Sequence, residues 1–311
     1  MDTDTSSSPV PGCGGRVALV TGASEGGTGT AIAIRLAAAG AKVAITARTV
    51  SGLEEARRRI EATGGECLVL PADLSDPAGG RRELVSRAEA ELGPLDILVN
   101  DAYVPGFGSF DETTAEALET SLQVNFLGPW ELMKAAVPGM RKRGRGWILN
   151  LTSLLAEVPP GPPSPGLSNG RFQYGATKAA LNQLTVIAAG ECAGQGIAVN
   201  ALSPVAVIAT AKMRASATVQ SLYEPLETMA EAALALCSGD PAVLSGRIAF
   251  SLQLLHELRR PVCDLHGECL VAGWQPDDLP VVIARQESLL AGQGWADAYS
   301  FGRVNSPRFD R

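Results

Sequence analysis

The stretch TGASEGGTG at residues 21–29 follows a short apolar run, Arg16–Val20, and opens a helical pattern from Thr28 to Ala39. An apolar run bounded by glycines is typical of a buried strand. Backbone without Cβ atoms can approach a pyrophosphate, and a helix N-terminus offers it free N–H groups. We therefore predict a dinucleotide site, with a purely structural turn as the alternative. The predicted cofactor-binding residues here are Gly22, Ser24, Gly26, Gly27, Thr28 and Gly29.

The rest of the chain continues this alternation of strands and helices. Further strands are predicted at 42–46, 67–70, 96–99, 147–151, 197–201 and 247–252. Further helices are predicted at 51–62, 78–92, 112–142, 174–193 and 225–238, the first with a Ser51/Glu54 capping box. Apolar strands separated by helices indicate a parallel sheet covered on both faces. The predicted fold class is α/β, a three-layer doubly wound sheet (Rossmann fold) in a single domain with a C-terminal extension.

Composition excludes several classes of protein. Of the 311 residues 46% are hydrophobic and 19% are charged, which excludes a disordered chain. A net charge of −7 without a basic run argues against nucleic acid and membrane partners. No apolar stretch approaches a membrane span, and the N-terminus lacks the basic and apolar regions of a secretory signal. The 6 scattered cysteines fit reduced thiols, so we expect a cytoplasmic location.

The chain divides into three parts by composition. Residues 1–14 are rich in Ser, Asp, Thr, Pro and Gly, and are predicted to be disordered. Residues 15–255 form the main domain, with a stiff proline-rich loop at 158–166. Residues 256–311 form an extension with one helix, predicted to run from Asp277 to Ala291. The extension is rich in aromatic residues, so we expect it to pack on the main domain or on a neighbouring subunit.

The end of the second strand bears on the choice of cofactor. An acidic residue there would bind the adenosine ribose 2′-OH, but the strand ends in Thr46-Ala47-Arg48. Arg48 can pair with a 2′-phosphate, which favours NADP(H) over NAD(H). Glu25 in the glycine turn is a counter-signal, and Arg48 could instead be an ordinary surface arginine.

Tyr174 and Lys178 lie four residues apart at the start of a predicted helix and so share one helix face. A lysine beside a phenol lowers its pKa from about 10 by favouring the phenolate. Such a phenol can act as a general acid or base on a carbonyl/alcohol pair. The alternative is a pair of solvated helix residues.

Ser153 follows the predicted strand at 147–151, at the edge of the sheet where such folds bind ligands. Its hydroxyl can donate a hydrogen bond to a substrate oxygen. The alternative is a serine that caps a helix or turn.

Over about residues 15–255 the chain resembles the short-chain dehydrogenase/reductase family. The matching segments are 21–29, Asp73-Leu74, Asn100-Asp101-Ala102, Asn125, Ser153, Tyr174 with Lys178, and 200–204. The resemblance implies that Tyr174 protonates the carbonyl oxygen as hydride arrives and that Ser153 positions that oxygen. It implies that Lys178 binds the nicotinamide ribose and that Asn125 anchors a water in a proton relay. Further cofactor contacts implied by it are Asp73, Leu74, Asn100, Ala102, Pro204 and Val207.

Several residues depart from the family pattern. The glycine turn is one residue longer than usual, which leaves the middle role open between Gly26 and Gly27. Asp101 and Tyr103 replace Asn and Gly of the usual Asn-Asn-Ala-Gly, and Val205 replaces the Gly of a usual Pro-Gly. The proline-rich loop widens the spacing from Ser153 to Tyr174 to 21 residues. The substrate-capping segment is predicted at Val205–Tyr223, with Met213 and Leu222 as apolar contacts.

The sequence thus predicts an NADP(H)-dependent oxidoreductase that interconverts a ketone or aldehyde with an alcohol. The alternatives are a catalytically inactive dinucleotide-binding sensor or scaffold and, more weakly, an epimerase or dehydratase. Loop composition suggests an apolar or mixed substrate, and the resemblance implies a homodimer or homotetramer through the long helices. Cys263, His266 and Cys269 lack a fourth ligand nearby, so no metal is expected.

Overall fold

Seven parallel strands form the central sheet of the computed structural model, which describes residues 12–24, 26–106, 108–157, 172–208, 210 and 223–290. The sheet strands are β1 (Val17–Thr21), β2 (Lys42–Thr46), β3 (Cys67–Val69), β4 (Leu95–Asn100), β5 (Gly146–Leu151), β6 (Ile197–Ser203) and β9 (Ile248–Phe250). Two short strands, β7 (Val207–Ile208) and β8 (Tyr223–Glu224), pair in parallel outside it. The order β3-β2-β1-β4-β5-β6-β9 confirms the doubly wound sheet.

Helices cover both faces of the sheet. The helices are α1 (Thr28–Ala38), α2 (Val50–Glu61), α3 (Arg81–Leu92), α4 (Ala115–Leu122), α5 (Gly128–Arg143), α6 (Phe172–Glu191), α7 (Leu226–Ser238), α8 (Ser251–Glu257) and α9 (Leu279–Leu290). One buried apolar cluster lies between the sheet and α1, α2 and α7. A second lies between the opposite face and α3, α5 and α6. The three-layer architecture is therefore confirmed.

The predicted capping box of the second helix is wrong. The helix begins at Val50, and Thr49 at its N-cap makes no capping hydrogen bond through its side chain. The Glu54 carboxylate instead accepts a hydrogen bond of 2.8 Å from Arg57 Nε. Glu54 therefore forms an ion pair with Arg57 along the helix instead of a capping contact with Ser51 at its start.

The predicted helix at 112–142 is interrupted. Between α4 and α5 the chain makes a π-helical turn over Gln123–Leu127, which holds Asn125. Such turns are frequent at functional sites, because the extra residue redirects a side chain. The predicted strand at 247–252 is also shorter, and its last residues begin α8.

The described part of the extension contributes to the main core. Val262, Leu265 and Leu279 are buried in the cluster that includes α1 and α7. Cys13, which we predicted to lie in the disordered N-terminal tail, is also fully buried, and its amide donates to Ala39 O at 2.7 Å. The division of the chain at residues 14 and 255 remains a prediction.

Some sequence predictions fall outside the described residues. These are the predictions for Glu25, the loop 158–166, Met213, Leu222 and the aromatic residues beyond 290. Within the described ranges, no helix has both the length and the apolar character needed to cross a bilayer. The same ranges hold no cluster of three or more His, Cys, Asp or Glu side chains that could bind a metal ion.

Candidate active site

The candidate site lies at the carboxyl edge of the sheet, where strand order reverses between β1 and β4. In open α/β sheets ligands bind in the crevice at this switch point. Thr21, the last residue of β1, accepts hydrogen bonds of 3.0 Å at Oγ1 from the amides of Asp101 and Ala102. Its hydroxyl therefore ties the glycine turn to the end of β4.

Close packing explains the glycines of the turn. Gly22 has φ +71°, and a Cβ there would lie 2.7 Å from Ala102 N. A Cβ on Gly29 would lie 2.6 Å from an oxygen of the Asp101 carboxylate. Gly26 has φ +70°, whereas Gly27 is extended and forms the N-cap of α1. Gly26 is therefore the residue of the two that needs the left-handed conformation.

Arg48 and Asp73 lie at the exposed end of the crevice, beyond β2 and β3. The Asp73 carboxylate accepts hydrogen bonds from Ser75 N at 2.8 Å and Ser75 Oγ at 2.7 Å. Partial burial raises the pKa of Asp73, but these bonds and the charges of Arg48 and Arg81 outweigh it and hold the pKa below its usual value. The side chains of Arg48 and Asp73 are thus close enough to interact electrostatically.

Two arginines that sequence reasoning missed support this end of the site. Arg59 Nη1 of α2 lies 3.3 Å from the position of a Cβ on Gly26. Buried Arg81 of α3 donates to Leu74 O at 2.7 and 3.1 Å, and to Gln123 Oε1 at 2.7 Å. Neither arginine belongs to a local motif: Arg59 lies in the last turn of α2, and Arg81 is the first residue of α3.

A buried amide pair links the central strands to α6. Asn100 and Asn150 are directly opposed in the β4–β5 register. Asn100 Nδ2 donates to Asn150 Oδ1 at 2.8 Å, and Asn150 Nδ2 donates to Thr185 Oγ1 at 2.9 Å. Only Asn100 was predicted as a site residue, and Asn150 is its structural partner.

Asn125 joins the loop after β4 to the first turns of α6. Its Oδ1 accepts from Val104 N at 2.8 Å, and its Nδ2 donates to Val104 O and Thr177 Oγ1, each at 3.0 Å. Thr177 Oγ1 in turn donates to Tyr174 O at 2.9 Å. Asn125 thus fixes the backbone around Tyr174. Its implied role as a water anchor remains a prediction.

Ser153 begins a short 3₁₀ turn, Leu154–Ala156, and its Oγ accepts a 3.2 Å hydrogen bond from Leu155 N. The cap that we weighed as an alternative is therefore present. A hydroxyl that accepts a bond still has its hydrogen to donate, so both roles are compatible. A Cβ on Gly175 would lie 2.7 Å from Leu155 O, so this turn packs directly against the start of α6.

Tyr174 and Lys178 share the face of α6 that points at the sheet edge. Lys178 Nζ lies 5.6 Å from the centroid of the Tyr174 ring and donates to Leu151 O at 2.7 Å. The Tyr103 ring packs against Tyr174 with centroids 5.8 Å apart and planes tilted by 58°. The predicted i,i+4 arrangement of Tyr174 and Lys178 is present, and a second tyrosine, Tyr103, lies against the ring of the first.

Burial shifts the pKa values of two groups at this edge of the sheet, Lys178 and Asp101. Burial lowers the pKa of Lys178 to about 8, although the negative charge of Asp101 opposes the change. Burial also raises the pKa of Asp101 to about 7, against the effects of the Lys178 charge and the Gly29 N–H. Two groups that usually titrate far from neutrality are therefore brought near it, which is typical of functional sites.

The comparisons with known proteins agree with this geometry. A family model described as short chain dehydrogenase matches residues 16–220. The chain belongs to the short-chain dehydrogenase family. Membership confirms the predicted class of enzyme, an oxidoreductase, and the predicted fold.

Individual relatives of this short-chain dehydrogenase cover most of its length. Human dehydrogenase/reductase SDR family member 4 is 35% identical over 250 residues, which span 74% of this chain and 84% of the relative. The NADP-bound 3-oxoacyl (acyl-carrier-protein) reductase from Agrobacterium tumefaciens has a TM-score of 0.69 and 31% identity, covering 78% and 94% of the two chains. L-Sorbose reductase from Gluconobacter frateurii, complexed with NADPH and L-sorbose, has a TM-score of 0.68 and 26% identity, covering 78% and 96%.

Proposed function

We propose that this short-chain dehydrogenase interconverts a ketone or aldehyde with an alcohol, using NADP(H) and Tyr174 as general acid and base. The observation that carries the proposal is the placement of Lys178, buried beside the Tyr174 ring at the end of β5. Ser153 lies on the turn against which the same end of α6 packs. A carbonyl oxygen held between Ser153 and Tyr174 would meet both a hydrogen-bond donor and a proton source.

The crevice fits a nicotinamide cofactor. Within the described residues, buried Asn100 Oδ1 and Thr152 Oγ1 have no hydrogen-bond partner, and both lie at the ends of the central strands. Buried polar atoms are normally paired, so these two suit a polar ligand. The residues proposed to hold the cofactor are the glycine turn, Arg48, Asp73, Leu74, Asn100, Ala102, Pro204, Val207, Tyr174 and Lys178.

When bound, the cofactor supplies the hydride in reduction and accepts it in oxidation. In reduction the Tyr174 hydroxyl gives its proton to the carbonyl oxygen, and the Lys178 ammonium stabilises the phenolate that remains. Ser153 holds the oxygen by a hydrogen bond, and Asn125 keeps the first turn of α6 in place through Thr177. In oxidation the same groups act in reverse.

Aromatic side chains support an apolar or mixed substrate. Besides the Tyr103–Tyr174 pair there is a second aromatic pair, Phe110 and Phe172, whose ring centroids lie 5.4 Å apart. Tyr103 is 56% exposed and Phe110 is 78% exposed beside the start of α6. Large exposed aromatic groups next to a reacting centre are suited to bind the apolar part of a ligand.

We also propose a homodimer or homotetramer in the cytoplasm, with no nucleic acid or membrane partner. The outer faces of α5 and α6 expose Trp130 at 38% and Ile187 at 51%, as an interface between subunits would. All six cysteines are free, which suits a reducing compartment.

The central test is Tyr174→Phe. We expect turnover on a panel of ketones and aldehydes to fall by about 10²–10⁴-fold, because the proton donor is lost. Binding of NADPH, followed by its fluorescence, should persist. Full turnover in this variant would refute the role of Tyr174. Wild-type protein that binds NADPH but reduces no member of the panel would favour the inactive sensor or scaffold.

A second test addresses the cofactor preference. In Arg48→Ala we expect kcat/KM for NADPH to fall by about tenfold, corresponding to about 1.4 kcal/mol, with the value for NADH unchanged. The matched control is Arg58→Ala, which removes an exposed arginine of α2 that pairs with Glu55. An equal loss for both cofactors would contradict the assignment of Arg48 to the 2′-phosphate.

A further inference from the structure

Asp101 lies between the glycine turn and the catalytic helix. It is only 8% exposed, directly after β4. Its amide donates to Thr21 Oγ1 at 3.0 Å, and its carboxylate accepts a hydrogen bond from the Gly29 amide. The Thr21 hydroxyl therefore fixes the backbone of Asp101, and the Gly29 amide holds its carboxylate against the first turn of α1.

Lys178 reaches the same place from the opposite side. The β4–β5 register pairs Asn100 with Asn150, so Asp101 and Leu151 are the next positions on adjacent strands. Neighbouring strands lie about 4.8 Å apart. Lys178 Nζ donates to Leu151 O at 2.7 Å, and the charges of Lys178 and Asp101 act on each other, so the two buried side chains share one buried region, which we call the pocket. Across the described ranges, no ion pair of 4.0 Å or less joins the two groups.

Among the residues that the structure describes, few charged groups face this pocket. Asp101 faces Lys178 from the end of β4, and Tyr174 faces it from its own helix. The contact from β5 is the uncharged carbonyl of Leu151, and the contact from α1 is the Gly29 N–H. Burial alone would favour the neutral amine of Lys178, and Asp101 supplies the opposing charge.

We propose that Asp101 is a positioning residue that keeps Lys178 in its ammonium form beside Tyr174 and so sets the pH range of the reaction. This inference rests on the proposed function. Tyr174 can give up its proton readily only while the Lys178 ammonium stabilises the phenolate. Without the Asp101 charge Lys178 loses its proton at lower pH, so the pH range of the reaction becomes narrower at its alkaline end.

The variant Asp101→Asn isolates the charge. An asparagine has nearly the same shape, and its Oδ1 can still accept from the Gly29 N–H. Asparagine is also the residue that the family pattern has at this position, so the fold should accommodate it. The matched control is Asp96→Asn, at the other end of β4, where the buried carboxylate accepts from Arg145 Nη2 at 2.8 Å.

The first experiment measures kcat and KM for NADPH-dependent carbonyl reduction across the pH range. In Asp101→Asn we expect the alkaline limb of kcat to move down by about one pH unit, because an opposite charge has been removed. Below that limb kcat should match the wild type, and KM should change little. Asp96→Asn should leave the profile in place. Superimposed profiles for Asp101→Asn and wild type would overturn the proposal.

The second experiment needs no turnover and uses protein without cofactor. The folded pKa of Asp101 lies above its unfolded value of 3.8, so its ionisation should reduce stability as pH rises from about 4 to about 7. We expect urea midpoints of the wild type to fall over this window relative to those of Asp101→Asn. In Lys178→Met the decline should extend to higher pH, because the opposing charge is gone.

The two experiments separate the possible failures. If no carbonyl is reduced, the proposed function fails, and the urea midpoints still test the pairing of Asp101 with Lys178. If wild type, Asp101→Asn and Lys178→Met show the same pH dependence of stability, the pairing itself is refuted.

Discussion

Two clusters of buried charge in this molecule are built differently. In the first, Arg35 Nε of α1 lies 2.6 Å from Glu231 Oε2 of α7, and Arg260 Nε lies 3.2 Å from Glu231 Oε1. In the second, Asp101 and Lys178 act on each other across a buried pocket while each bonds to neutral backbone groups. The first cluster therefore has a charged partner in direct contact, and the second does not.

This difference separates a structural role from a chemical one. Guanidinium groups that bond directly to a carboxylate satisfy its charge and fix the elements that carry them. Here they join α1, α7 and the segment after α8. At Asp101 and Lys178 burial outweighs the attraction between the two charges, so it raises the pKa of Asp101 to about 7 and lowers the pKa of Lys178 to about 8. Such groups can exchange protons in the working range of an enzyme.

The strongest test of the comparison is Glu231→Ala. It leaves Arg35 and Arg260 buried without a counter-charge, so we expect the free energy of unfolding to fall by about 3–5 kcal/mol. Urea denaturation measures the loss. The turnover number per folded molecule should be unchanged, because this cluster lies away from the carboxyl edge of the sheet.

The matched control for Glu231→Ala is Glu257→Ala, which removes the half-exposed partner of Arg247 at 2.7 Å. We expect a loss of under about 1 kcal/mol there, since exposed ion pairs contribute little. Similar losses in the two variants would contradict the structural role assigned to the buried cluster.

Glu224 offers a second test, because it is a buried carboxyl group that has no arginine partner among the described residues. It accepts from Ser251 Oγ at 2.8 and 3.0 Å and from the amide of Val205. Burial raises its pKa from 4.5 to about 8, although these bonds oppose the change. Because the folded pKa exceeds the unfolded one, its contribution to stability is present below pH 4.5 and is lost as pH rises to about 8.

In Glu224→Gln this loss should be absent. We expect the free energy of unfolding of the wild type to fall by about 4 kcal/mol more than that of the variant over this pH range. Urea denaturation at several pH values checks it. If the free energy of unfolding has the same pH dependence in wild type and Glu224→Gln, the buried carboxyl group of Glu224 does not have the raised pKa on which this test depends.

Local patterns in the sequence predicted the sheet and part of the site. Apolar runs separated by helical segments mark β1, β4 and β5, and the i,i+4 spacing brought Tyr174 and Lys178 to one helix face. The same patterns gave a wrong capping box, because Glu54 had a competing partner in Arg57 one turn away. A capping-box pattern is weak evidence for the start of a helix when its glutamate can form an ion pair with an arginine one turn away.

Contacts between distant segments could not be predicted in this way. The Arg35–Glu231–Arg260 cluster joins three parts of the chain that no spacing rule connects. Nor does local sequence show that Asp101 lies in the pocket of Lys178, since this depends on the register of β4 with β5. The local sequence likewise does not show the π-helical turn that holds Asn125, whose side chain bonds to the distant residues Val104 and Thr177.

The small parallel pair of β7 and β8 has a consequence for how the segment between the two strands could change in evolution. Val207 pairs with Tyr223 and Ile208 with Glu224, so the two ends of the intervening segment are held side by side by backbone bonds. For a flexible chain segment in general, each doubling of length adds only about 0.6 kcal/mol to the entropic cost of bringing its ends together. The segment between them can therefore be exchanged for one of another length or composition while the rest of the enzyme keeps its fold.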